Sequence, residues 1–123
     1  MTMEACYQRL GGDFHQVCLR LPGRDFVERF FVRYLEDDSA RLLHEAVEAG
    51  DAGEAMRLAI GLKGLSGNLG FGKLERASTQ LVMLLRAGRG TVTPEARFQE
   101  AVVYRCHREA TEILGQYLAE NGK

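Results

Sequence analysis

Apolar residues recur at helical spacing along nearly the whole chain, and polar breaks divide them into segments. In "RDFVERFFVRYLEDDS", Phe26, Val27, Phe30, Phe31, Tyr34 and Leu35 share one stripe, with Arg24, Glu28, Arg33 and Glu36 off it. Ser39 is placed to cap the next segment, in which Leu42, Leu43, Ala46 and Val47 point inward before Gly50 ends it. Asp51 caps a third helix that runs to Leu69 and stops on Gly70. A fourth follows at once, with Leu74, Ala77, Leu81, Leu84 and Leu85 inward and Arg86 near its end. Thr93-Pro94-Glu95 starts a last, long helix that carries Phe98, Val102, Cys106, Ile113, Leu114, Tyr117 and Leu118 toward a core. Upstream, two short pieces break at Gly11-Gly12-Asp13, where Asp13 caps the second, and stop at Pro22-Gly23. The pattern predicts an all-α fold, an antiparallel up-and-down four-helix bundle with a short N-terminal capping helix, in one domain over residues 1–123.

The third helix departs from the rule its neighbours follow. "AIGLKGLSGNLGFGKL" places glycine at 61, 64, 67 and 70, and each interior glycine costs a helix about 1 kcal/mol relative to alanine. At about 100° per residue, Leu62, Leu65 and Leu69 fall within roughly 40° of Leu58, with Ala55 and Ser66 beside them. The opposite side then holds Ile60, with Met56 and Gly67 close by and Lys63 and Gly64 flanking. Gly64 and Gly67 leave low backbone around Ile60 against which another macromolecule can press. Gly61 is read as relief for a neighbouring helix, Gly70 as the stop. Local inconsistency of this kind tends to mark a functional place.

Composition narrows the partners. With 16 Lys+Arg against 17 Asp+Glu the formal net charge is −1, so there is no global basic field for nucleic acid or an anionic membrane. Around the glycine-rich helix, Arg57, Lys63, Lys73 and Arg76 make a local basic rim. Cys6, Cys18 and Cys106 form no metal-binding spacing and read as small buried hydrophobes in a reducing, cytoplasmic setting. No segment has signal-peptide or membrane-spanning character. No metal site or cofactor is expected.

The stretch Leu58 to Gly70, "LAIGLKGLSGNLG", resembles the histidine phosphotransfer (HPt) domain signature, in which alanine, histidine, any residue and "LKG" precede a segment ending in "LG". "YQRLGGD", "VERFFVRYLEDDS", "AVEAGD" and "LVMLLRAG" extend the similarity to a bacterial subgroup of these domains. The resemblance implies that Ala59 is the signature alanine and Leu62 its buried leucine. It implies further that Lys63 lies near the phosphoryl group and that Gly64 clears access. Ile60 stands where the family carries its phosphoacceptor histidine, and a hydrocarbon side chain offers no nucleophile.

The expectation is therefore a non-catalytic phosphorelay domain that docks a response-regulator receiver domain, or a hybrid histidine kinase, through Met56, Arg57, Ile60, Lys63, Gly64 and Gly67. Ile60 would plug the place where a histidine reaches into the acidic receiver site. Two other readings remain at this stage. One is phosphotransfer on another histidine, among His15, His44 and His107, with His107 read on a polar face beside Arg105 and Arg108. The other is a helical interaction module outside phosphorelays, including a weak homodimer through Met56 and Ile60 in a chain otherwise expected to be monomeric.

Overall fold

A computed structural model describes residues 1–121. Its seven helices are α1 (Met3–Arg9), α2 (Phe14–Cys18), α3 (Arg24–Leu35), α4 (Ser39–Glu48), α5 (Ala52–Leu69), α6 (Gly72–Ala87) and α7 (Pro94–Glu120), with no strand among the described residues. The molecule is all-α. Helices α4, α5, α6 and α7 pack in a closed ring, while α1 and α3 lie against α7.

The contacts of α7 show how seven helices make four columns. Glu28 and Tyr34 of α3 meet Tyr117 and His107, and His44 and Val47 of α4 meet Glu100 and Arg97. Passing forward through α3 and then α4 means passing backward along α7, so the two short helices form one broken strut antiparallel to it. The break is the turn Glu36-Asp37-Asp38, where Asp37 Oδ1 accepts from the Ser39 amide at 2.8 Å. The 27 residues of α7 span about 40 Å, enough to back the whole strut.

Helix starts follow the capping expectations with one exception. Asp13, Asp51 and Thr93 each accept a backbone N–H of the first turn, and Pro94 occupies the first turn of α7. Ser39 is instead the first residue inside α4, and Asp38 precedes it without a side-chain cap. At the far end of α5, Gly70 takes the left-handed conformation, with φ of 75°.

Here the amino-terminal turn docks backbone to backbone on the α5–α6 corner. The Lys73 amide donates to the Leu10 carbonyl at 3.1 Å, and the buried Tyr7 hydroxyl donates to the Leu69 carbonyl at 2.7 Å. A Cβ on Gly12 would lie 2.0 Å from the Gly70 carbonyl oxygen, and one on Gly72 would lie 2.1 Å from that of Gly11. Only glycine fits. Around the joint Tyr7, Phe14, Phe31 and Phe71 make an aromatic cluster, with Tyr7 to Phe14 ring centroids 5.6 Å apart.

Several inward assignments are corrected by the packing. On α7 the inward face runs Ala96, Glu100, Val103, His107, Ala110, Leu114, Tyr117, alternating steps of four and three, all buried except the half-buried His107, with the buried Ile113 at its edge. Phe98 lies on the opposite side and is 74% exposed. Val102, Cys106 and Leu118 are half-buried at the margins. Leu42 sits off the α4 stripe of Ala40, Leu43, Ala46 and Val47 and is 40% exposed, and Leu35 is likewise exposed at the end of α3. Of the cysteines, Cys6 is buried and burial pushes its thiol up to about 11, Cys106 is half-buried, and Cys18 is exposed on α2.

Candidate docking face

Helix α5 is positioned by α4 on one flank and α6 on the other. Its buried residues are Ala52, Ala55, Leu58, Ala59, Leu62, Ser66 and Leu69. The buried stripe is thus centred roughly 60° from Leu58, on the side of Ala55 and Ser66. Leu65 consequently moves to a half-buried margin. The outermost line becomes Gly53, Arg57, Ile60 and Gly64, all exposed.

Ile60 is 48% exposed at the middle of that line. Nothing lies within 4 Å of a Cβ built on Gly61 or Gly64. Gly61 therefore relieves no helix packing, contrary to the expectation from sequence, and instead extends the open surface beside Ile60. Gly67 is the reverse case. A Cβ there would lie 2.8 Å from Glu75 Oε2 of α6, so this glycine belongs to the α5–α6 contact rather than to the open face. Met56 is half-buried and packs partly against the core, leaving Ile60 as the exposed apolar centre.

Charge around the face is less uniformly basic than the sequence suggests. The Arg57 guanidinium is ion-paired with Glu54, and the hydrogen bond it donates is the main cause holding the Glu54 carboxyl below its ordinary range. Lys63 is exposed without an ion-pair partner among the described residues, whereas Lys73 and Arg76, also exposed, stand at the amino-terminal turn, where a Cβ on Gly11 would lie 2.6 Å from Lys73 Cγ and 3.2 Å from Arg76 Nη2, so they do not complete the expected rim about Ile60. Arg20, which the sequence reading passed over, donates to the Gly67 and Asn68 carbonyls at 3.2 and 3.3 Å. It places a cation on the last turn of α5, where the helix dipole favours one. The signal was available only through the fold, because Arg20 lies far upstream in the chain.

None of the three histidines lies on this helix. His15 is exposed on α2. His44 Nδ1 lies 2.9 Å from Glu100 Oε1, its ring stacks on Tyr104 at 5.1 Å, and its Nε2 faces Glu48 at 3.9 Å. His107 is half-buried with Nδ1 2.7 Å from the Tyr34 hydroxyl, which corrects its assignment to a polar face. Both bundle histidines cross-link α7 to the strut, and neither has a lysine and a glycine arranged as Lys63 and Gly64 are about Ile60.

Among the described residues no cluster of three or more His, Cys, Asp or Glu side chains is arranged to hold a metal. No helix among them is long and apolar enough to cross a membrane. In comparisons with family models, curated proteins and solved structures, the chain matches none.

Proposed function

We propose that the chain is an HPt-like signalling domain that docks a response-regulator receiver domain, or the receiver of a hybrid histidine kinase, without carrying phosphate. The observation that carries this reading is Ile60. It is half-exposed at the centre of an open helical face, flanked by Gly61 and Gly64 with no neighbours, at the place where the resembled signature has its histidine. Attack on an aspartyl phosphate needs a nitrogen lone pair, and isoleucine has none. An apolar centre beside unpaired Lys63 suits an acidic partner pocket: the side chain fills it while the cation favours encounter. The all-helical bundle is compatible with the resemblance, and the proposed setting is a bacterial cytoplasm.

The partner then gains no phosphate acceptor, and the domain acts by occupancy, shielding a receiver from its productive partners. The test is phosphate uptake from a panel of phosphorylated receivers, with the natural protein and Ile60→His compared under the same conditions. Label on the histidine variant alone supports the reading. Label on the natural protein defeats it and directs attention to His44, His107 and His15. No label on either, together with no binding to any receiver, favours an interaction module outside phosphorelays.

A further inference from the structure

The contact between α7 and the strut is closed by polar groups that the docking face does not use. Three contacts follow one another along it: Tyr117 hydroxyl to Glu28 Oε2 at 2.7 Å, Tyr34 hydroxyl to His107 Nδ1 at 2.7 Å, and His44 Nδ1 to Glu100 at 2.9 Å. The two histidine contacts have opposite proton requirements. Glu100 is 3% exposed and its carboxylate accepts from His44, so His44 must carry a proton on Nδ1, and a second proton on that ring keeps the contact and adds charge attraction. Tyr34 is 2% exposed, and burial pushes its phenol well above the usual range, so Tyr34 keeps its proton and donates it. His107 must then accept through a bare Nδ1. Among the described residues the Tyr34 hydroxyl has no other hydrogen-bond partner.

We propose that Tyr34–His107 is an acid-sensitive latch: protonation of His107 removes the acceptor that the buried Tyr34 hydroxyl requires and loosens α3 from α7, while His44–Glu100 keeps α4 in place. An imidazolium has donors on both nitrogens, so the Tyr34 hydroxyl must turn and accept instead, which leaves its own buried proton without an acceptor, and an unmet buried donor is costly. The surroundings of His107 set the direction. Tyr104 stacks on it from its own helix at 6.0 Å, and Phe71 packs against the Tyr34 ring at 5.2 Å. Across the contact the charged group is Asp37, in the turn between α3 and α4, which favours the proton. Lys73 and Arg76 of α6 act on the neighbouring Cys106 rather than on His107. Burial outweighs Asp37 and holds His107 below its ordinary value of 6.5. A group held low in the folded state contributes stability that is intact above about pH 6.5 and is lost as pH falls through the lower folded value. The break at Asp37-Asp38 lets the α3 half of the strut respond without the α4 half.

The experiment is hydrogen exchange of the intact protein at pH 7.5 and 5.5, corrected for intrinsic rates, with the amides of α3 and α4 compared. The expected result is a several-fold loss of protection in α3 at pH 5.5 with α4 unchanged. His107→Asn, whose carbonyl oxygen takes the place of Nδ1 and does not titrate, should abolish the difference. Equal protection of α3 at both pH values, or the same acid loosening in His107→Asn, overturns the latch. Should that variant not fold, Tyr34→Phe removes the hydroxyl that needs an acceptor, and persistence of the full acid effect there would overturn it too. A titration of the His107 ring by NMR in the natural protein gives an independent check: a midpoint at or above 6.5 is incompatible with the proposal.

Discussion

Glycine serves two opposite ends in this molecule, about two helical turns apart along α5. At the α5–α6 corner Gly11, Gly12, Gly70 and Gly72 let two backbones touch, and a methyl group has no room at Gly12 or Gly72. Beside Ile60, Gly61 and Gly64 touch nothing, and a methyl group there would meet only solvent. The first set holds the fold together. The second weakens a helix and leaves a low open surface, where the proposed partner would sit.

The sharpest way to break this contrast is Gly12→Ala. Its Cβ would lie 2.0 Å from the Gly70 carbonyl oxygen, and backbone cannot swing aside as a side chain end can. We expect a loss of about 3 kcal/mol or more, a fall in Tm on the order of 10 °C, measured by thermal and urea unfolding. Tyr7→Phe tests the same joint more gently. It leaves the Leu69 carbonyl without its 2.7 Å donor at a buried site, and about 1–3 kcal/mol should be lost in urea unfolding.

Across the contrast the sign reverses. Gly61→Ala should stabilise the protein by about 0.5–1 kcal/mol, because alanine is the better helix former and no neighbour objects. A loss of stability there would mean that the face is not open. Gly64→Gln should fold nearly normally and lose receiver binding in a titration with the partner that labels Ile60→His. Smallest of all should be Gly67→Ala, where the helix gain is offset by displacing the flexible Glu75 carboxylate, leaving a change within about 0.5 kcal/mol.

Apolar periodicity locates the seven helical segments, and local signals sharpen three starts, at Asp13, Asp51 and Thr93-Pro94, and one stop, at Gly70. Ile60, exposed where it was expected, was legible for the same reason: α5 has enough leucine to fix its inward side. What failed was the first half of the inward face of α7, while Ile113, Leu114 and Tyr117 are buried as expected. Reading apolar residues as buried led to Phe98 and Val102, while the real face carries Glu100 and His107, whose partners His44 and Tyr34 lie more than fifty residues away. The corner glycines were opaque for a related reason. Gly12 needs to be glycine because of the Gly70 carbonyl, and no local pattern announces a neighbour that only folding supplies. Gly61 and Gly67 were exchanged in the reading because a helical wheel gives an angle but cannot say where the adjacent helix stands.

The strict four-and-three spacing on α7 has a consequence for how the chain finds one arrangement among its near-copies. Repeats of seven look alike to a purely greasy partner, so sliding α7 by one repeat would cost little if packing alone decided. Here the slide mismatches both histidine rungs. With His107 moved into the place of Glu100, His44 would face another imidazole and Tyr34 would face Leu114. The polar rungs act as an address, read once, that tells a long uniform rod where along its neighbour to stop.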